Sequence, residues 1–158
     1  MSIHPTSIID PSAKIARDVQ IGPFCTIGED VQIESGSKII SHAVIKGPTV
    51  IGKDNCIYQF STIGDDTPDK KFKGEKTKLI IGDNNIFREG VTVHRGTVQD
   101  NSVTTIGSNN LFMPFAHVAH DCIVGNDNIF ANLADMSLKS VLFQPSLLHN
   151  FVGMGKTR

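Results

Sequence analysis

Isoleucine recurs at every sixth position through the first two fifths of the chain. Ile3, Ile9, Ile15, Ile21, Ile27, Ile33, Ile39, Ile45, Ile51, Ile57 and Ile63 share one phase, with only Ile8 and Ile40 off it. A period of six is neither the two of a strand nor the 3.6 of a helix. Each unit must therefore be a short extended segment plus a corner, stacked on equivalent units above and below. The pattern predicts an all-β solenoid. After Ile63 the phase resumes at Ile81, Phe87 and Val93, then shifts by one residue and runs through Ile106, Phe112, Val118, Val124 and Phe130. Met136, Leu142, Leu148 and Met154 keep that shifted phase. Two polar segments, 65–78 and 95–105, interrupt the repeat and read as loops standing off the coil.

Within a unit the chemistry is regular. Glycine often follows the repeating aliphatic residue, as in Ile21-Gly22, Ile27-Gly28, Ile51-Gly52, Ile63-Gly64, Ile81-Gly82, Ile106-Gly107 and Val124-Gly125. Such a glycine permits corner geometry, either by positive φ or by close backbone approach. Four residues after the aliphatic position stands a small side chain in many units: Ala13, Cys25, Ser37, Ala43, Ser61, Ala116 and Cys122. Small groups suit an inward corner. Strands stacked about 4.8 Å apart would pair coil to coil and leave one aliphatic column along each inner wall. Burying one such isoleucine contributes about 1.5–3 kcal/mol, so the columns alone could hold the coil together.

Composition narrows the function more by exclusion than by assertion. A formal net charge of -1 with no run of basic residues gives no electrostatic case for nucleic acid. No apolar stretch approaches the roughly 20 residues of a membrane span, and the start lacks a charged leader followed by a long apolar core. A cytoplasmic location is the expectation. Cys25, Cys56 and Cys122 are odd in number and lack CxxC spacing, so neither a disulfide framework nor a thiolate zinc site is predicted. No metal or other cofactor is expected.

Chemistry concentrates in Ala116-His117-Val118-Ala119-His120-Asp121-Cys122. Val118 belongs to the inward phase, so the two histidines and the aspartate around it should face outward. A neutral imidazole is the usual side chain for taking a hydroxyl proton near neutral pH, and a carboxylate beside it can orient and stabilise the imidazolium formed. A lone surface histidine is more simply a solvated polar group. A cluster of imidazoles on a solenoid exterior has less reason to be structural alone.

The repeat resembles the hexapeptide-repeat acyltransferases, and the local motifs sharpen that resemblance. His117 to Cys122, Thr92-Val93-His94-Arg95-Gly96-Thr97-Val98-Gln99, Asp69-Lys70-Lys71-Phe72-Lys73-Gly74-Glu75 and Tyr58-Gln59-Phe60 together are similar to the UDP-N-acetylglucosamine O-acyltransferases that begin lipid A synthesis. The similarity covers about residues 3–132. It implies a left-handed parallel β-helix of triangular section, three units per turn, usually assembled as a homotrimer. It further implies transfer of an (R)-3-hydroxyacyl chain from acyl carrier protein to the 3-hydroxyl of UDP-N-acetylglucosamine, without a covalent enzyme intermediate. On this resemblance His120 is the general base, Asp121 positions the base or the sugar, and His117 contacts substrate. Asp69 and Lys71 of the first loop lie near the nucleotide-sugar or acyl chain, where a lysine can pair with phosphate. His94 is a wall residue of the site or a structural polar contact.

Departures from the family pattern divide the chain into a β-helix domain, 1–132, and a divergent tail, 133–158. Within the first loop, Thr67-Pro68 replaces a glutamine of some members, and Pro68 has no backbone N–H to donate. Beyond Asn132-Leu133, Ser137-Leu138-Lys139 stands where the family has Ala-Gly-His, which supplies a second histidine and a backbone N–H for the oxyanion. Losing one oxyanion donor commonly costs about 10²–10³ in rate. His149-Asn150-Phe151 is similar to the family's His-Gln-Phe but comes one six-residue unit early, on another face. The helical C-terminal domain of the family is not expected in this chain. Two competing readings accompany the acyltransferase: a non-catalytic chain that folds, or joins trimers, without turnover, and a zinc hydratase in which His94, His117 and His120 meet across a subunit interface.

Overall fold

The computed structural model describes residues 2–136, 140–143 and 145–148. Its regular elements are twenty-two short strands, most of two residues, and no helix occurs among the described residues. Each strand pairs in parallel with the strand three units further along: Ile3 lies opposite Ile21, Ile21 opposite Ile39, and Ile39 opposite Ile57. Three six-residue units thus complete one turn, and the strands form three sheets of eight, seven and seven members. The molecule is a left-handed parallel β-helix with a face for each sheet.

Three inward columns fill the coil. The first runs from Ile57 into Phe87, Phe112 and Phe130. Its rings stack with centroids 4.8 and 4.5 Å apart. The second contains Ile45, Ile63, Val93, Val118 and Met136. Ile33, Ile51, Ile81, Ile106 and Val124 make the third. From Ile21 through Met136 these side chains are almost wholly shielded from solvent, whereas the off-phase Ile8 and Ile40 are exposed. Ile3, Ile9 and Ile15 are only partly buried, each packed against the core through the next coil.

The two interruptions explain the change of phase. Ile63 and Ile81 are successive members of neighbouring faces, yet they lie 18 residues apart instead of six; the extra twelve are two whole units and leave the phase intact. Val93 and Ile106 are likewise successive but 13 apart, and the extra seven residues shift the phase by one. The first loop leaves the coil between the strands Thr62–Asp65 and Lys78–Ile81. The second leaves between Thr92–His94 and Val103–Ile106. Both therefore emerge from the same corner, one coil apart.

Corner geometry differs from the simplest reading of the glycines. The left-handed backbone position falls three residues after the inward residue and is occupied by ordinary side chains, among them Phe24, Asp30, Asp54, Phe60, Phe115 and Asp121. Most of the glycines directly after the inward residue answer a spacing constraint instead. A Cβ on Gly82 would strike the backbone of Gly107, and one on Gly107 the backbone of Gly125, so these glycines stack where coils approach closely. Gly64 combines both demands, with φ 78° and Lys46 O in the space a Cβ would fill.

One interior corner is polar. Asn55, Asn85, Asn110 and Asn128 form a buried ladder in place of small residues. Each Nδ2 above Asn55 donates to the Oδ1 below: Asn85 to Asn55 at 3.0 Å, Asn110 to Asn85 at 2.9 Å and Asn128 to Asn110 at 3.0 Å. Their Oδ1 atoms also accept the backbone N–H of the asparagine one coil up, so the ladder satisfies backbone and side chain together. Asn110→Ala would leave Gly125 O and the Asn128 backbone N–H without a partner, while Asn128 Nδ2 keeps its bond to Asn126 O. We expect it to lower stability by about 2–4 kcal/mol, measured by urea unfolding, since each buried polar group stranded costs about 1–3 kcal/mol.

Candidate active site

The chemically suggestive residues among those described gather on one corner of the prism. It joins the face carrying Ile45, Ile63, Val93 and Val118 to the face carrying Ile51, Ile81, Ile106 and Val124, and passes through Gly47, the first loop, the second loop and His120-Asp121 in ascending coils. The sequence scatters these groups over more than seventy positions. The 18-residue coil stacks them within a few strand spacings.

His120 and Asp121 form the centre. Asp121 sits at the left-handed corner position, φ 59°, with its N–H donated to Thr104 Oγ1 at 2.8 Å. His120 Nδ1 lies 2.7 Å from Asp121 Oδ2. The same carboxylate accepts the Thr97 N–H at Oδ1, 2.9 Å, and the Thr97 hydroxyl at Oδ2, 2.6 Å. An ionised carboxylate only accepts, so Nδ1 of a neutral His120 carries the hydrogen and Nε2 carries the lone pair. The outward placement expected around Val118 is corrected in one respect. His120 and Asp121 lie outside the apolar column, but they are only 4% and 2% exposed, and Thr97 of the second loop packs onto the Asp121 carboxylate.

Arg95 fastens that loop. Its backbone N–H reaches Asp65 O at 3.1 Å, and its guanidinium donates to Gly47 O at 2.6 Å, to Gly64 O at 2.8 Å and to the Asp66 carboxylate. Three successive coils are tied together by one 7%-exposed cation. Nε of Arg95 is buried and finds no acceptor among the described residues. Beside it, Lys46 Nζ pairs with Asp65 at 2.7 Å.

His94 and His117 face each other edge to face, ring centroids 5.0 Å apart, on successive coils of one sheet. Thr92 Oγ1 and His117 Nδ1 share a hydrogen bond of 2.7 Å. Burial, reinforced by the neighbouring His117, pushes the His94 pKa down to about 4. Burial also lowers that of His117, against the opposing pull of Asp135. Both rings are therefore neutral near pH 7. His94 Nδ1 is buried and unpartnered among the described residues.

Asp69 and Lys71 sit further out in the first loop. The Asp69 carboxylate accepts the Lys71 N–H at 2.9 Å, shaping a tight turn, and the Lys71 side chain is exposed. The structure thus joins His120 to Asp121 and His94 to His117, and leaves Lys71 reaching outward. Among the described residues no group of three or more His, Cys, Asp or Glu side chains is placed to hold a metal ion. Leu138, Lys139, His149 and Met154 fall outside the described residues. Thr92, Arg95, Thr97 and Thr104 complete the arrangement; sequence reasoning quoted Arg95 and Thr97 only as motif letters, because nothing local shows that they grip other coils.

Two outcomes follow from this geometry. Arg95→Met, which strands two backbone carbonyls, should lower stability by about 2–3 kcal/mol in urea unfolding. His94 has its pKa lowered on folding, so the neutral form is the one the fold favours. Its contribution is complete above the unfolded value near 6.5 and is lost as pH falls from there towards 4. The drop in urea midpoint between about pH 7 and about pH 5 should be smaller in His94→Asn than in the parent chain.

Comparison with known proteins agrees with the geometry. The family model "GMPPB C-terminal domain" matches residues 3–104, and "Bacterial transferase hexapeptide (six repeats)" matches residues 104–134. The acyl-[acyl-carrier-protein]–UDP-N-acetylglucosamine O-acyltransferase of Saccharophagus degradans is 64% identical over 132 residues, covering 84% of this chain and 51% of the relative. That of Stutzerimonas stutzeri is 53% identical over 159 residues, covering 97% of this chain and 62% of the relative. LpxA from Acinetobacter baumannii superposes with a TM-score of 0.83 at 58% identity, over 84% of this chain and 52% of that one. The chain therefore spans about half to three fifths of the length of these relatives. On the repeat, the stacked corner and these likenesses, the chain belongs to the hexapeptide-repeat β-helix proteins, and over most of its length it is similar to the acyl-[acyl-carrier-protein]–UDP-N-acetylglucosamine O-acyltransferases.

Proposed function

We propose that this chain transfers an (R)-3-hydroxyacyl group from acyl carrier protein to the 3-hydroxyl of UDP-N-acetylglucosamine, the first step of lipid A synthesis, with His120 as general base. The observation that carries the reading is the His120–Asp121 pair, in which the carboxylate fixes the tautomer that leaves Nε2 basic. As the sugar hydroxyl attacks the thioester carbonyl, its proton passes to Nε2. Asp121 stabilises the imidazolium so formed. Collapse of the tetrahedral intermediate breaks the carbon–sulfur bond, and the imidazolium returns its proton to the departing carrier thiolate. Nothing in this sequence needs a cofactor.

The remaining residues take substrate roles. His94 and His117, both neutral at pH 7, suit hydrogen bonds to hydroxyl or carbonyl groups, and the unpartnered Nδ1 of His94 is an open position for one. Lys71, exposed on the first loop, suits the diphosphate, with Asp69 shaping its turn. Homotrimeric assembly and a cytoplasmic location belong to the same reading; the first follows from the family resemblance, and three thiols outside any disulfide suit a reducing compartment.

The test is ester formation by the purified chain from 3-hydroxyacyl carrier protein and UDP-N-acetylglucosamine. His120→Ala should lower the rate by about 10²–10⁴, the usual contribution of a positioned base. Turnover unchanged in that variant removes His120 from the role. No transfer by the parent chain favours a non-catalytic role for it.

A further inference from the structure

The second loop does more than cover the site, because one of its residues holds the same carboxylate oxygen that His120 does. Asp121 Oδ2 lies 2.7 Å from His120 Nδ1 and 2.6 Å from Thr97 Oγ1, while Oδ1 accepts the Thr97 N–H at 2.9 Å. Thr97 therefore grips both oxygens. We propose that Thr97 is a positioning residue of the acyl transfer, one that locks the Asp121 carboxylate and through it the Nδ1–H tautomer of His120; the proposal rests on the reading of His120 as base.

The physical argument begins with what a buried carboxylate can do when loosely held. Rotation about its Cβ–Cγ bond would present the other oxygen, or neither, to the imidazole. The ring would then be free to carry its hydrogen on Nε2, the atom that must accept the proton. A wrong tautomer removes general-base catalysis even where every residue remains in place. Thr97 and Asp121 are each 2% exposed, so water does not replace a lost hydroxyl. The grip is also preorganised on both sides. Thr104 fixes the Asp121 backbone. On the loop side, Thr97 O accepts the N–H groups of Asp100 and Ser102 at 3.1 and 2.9 Å, and Arg95 anchors the loop's start to two lower coils. Arg95-Gly96-Thr97 is thus a strut running from the base of the first loop to the carboxylate.

The sequence favours threonine over any apolar isostere for this task. Valine has the same shape and keeps the backbone N–H, but drops the bond to Oδ2. Serine keeps both bonds.

The experiment compares the parent chain, Thr97→Val and Thr97→Ser by ¹⁵N NMR of the imidazoles at a pH where His120 is neutral, together with steady-state kinetics. The parent should show His120 as the Nδ1–H tautomer. Thr97→Val should show a mixture of both tautomers and a kcat lower by about tenfold or more, with KM for both substrates unchanged, and Thr97→Ser should restore both readings. A purely structural residue would not move the tautomer. His120 held as Nδ1–H in Thr97→Val overturns the proposal whatever the rate does, and so does a serine variant that behaves like the valine one. If the tautomer shifts as expected but the parent chain and His120→Ala transfer acyl groups equally, the positioning stands and the assignment of His120 as base fails.

Discussion

Column-on-column stacking of the inward side chains is the constraint from which the rest of this molecule follows. An isoleucine displaced by one residue would turn outward, and because each coil rests on the next, the error would break pairing on both sides. Register is therefore fixed along the whole rod. Once it is fixed, every corner position has a set height and direction, and residues 18 apart become neighbours. Chemistry can then be assembled vertically, from side chains that have no relation along the chain.

The two polar columns use that register differently. The asparagine ladder lies inside a corner, where each amide satisfies the next coil and nothing is left over for a ligand. The opposite strategy holds at the corner of His120. There the loops leave the coil, buried polar atoms on His94 and Arg95 remain without partners among the described residues, and two neutral imidazoles stand side by side. One column contributes stability and the other gives up some of it to keep hydrogen-bonding capacity in reserve, as sites generally do.

Much of this is legible in the sequence alone. The six-residue spacing named the inward residues individually, and the one-residue shift after Val93 marked an insertion that is not a whole number of units. His120 and Asp121 stood out because they flank an inward valine. Other features were hidden for physical reasons. Asn55, Asn85, Asn110 and Asn128 occupy a position that small residues fill elsewhere, and their mutual bonding appears only when the insertions have been folded away and the four align. Thr97 and Arg95 act through contacts 24 and 31 residues distant along the chain, which no local pattern encodes. The polar run 95–105 suggests a loop standing off the coil, and nothing local reveals that Thr97 within it folds back onto the Asp121 carboxylate.

That both loops depart from a single corner has a consequence for how such a protein diversifies. Twelve residues were absorbed there with the phase kept, and seven with the phase shifted, yet the inward columns continue undisturbed above each. Length at this edge is decoupled from folding. A lineage can lengthen, shorten or rewrite the rim that meets the ligand while inheriting the rod beneath it unchanged.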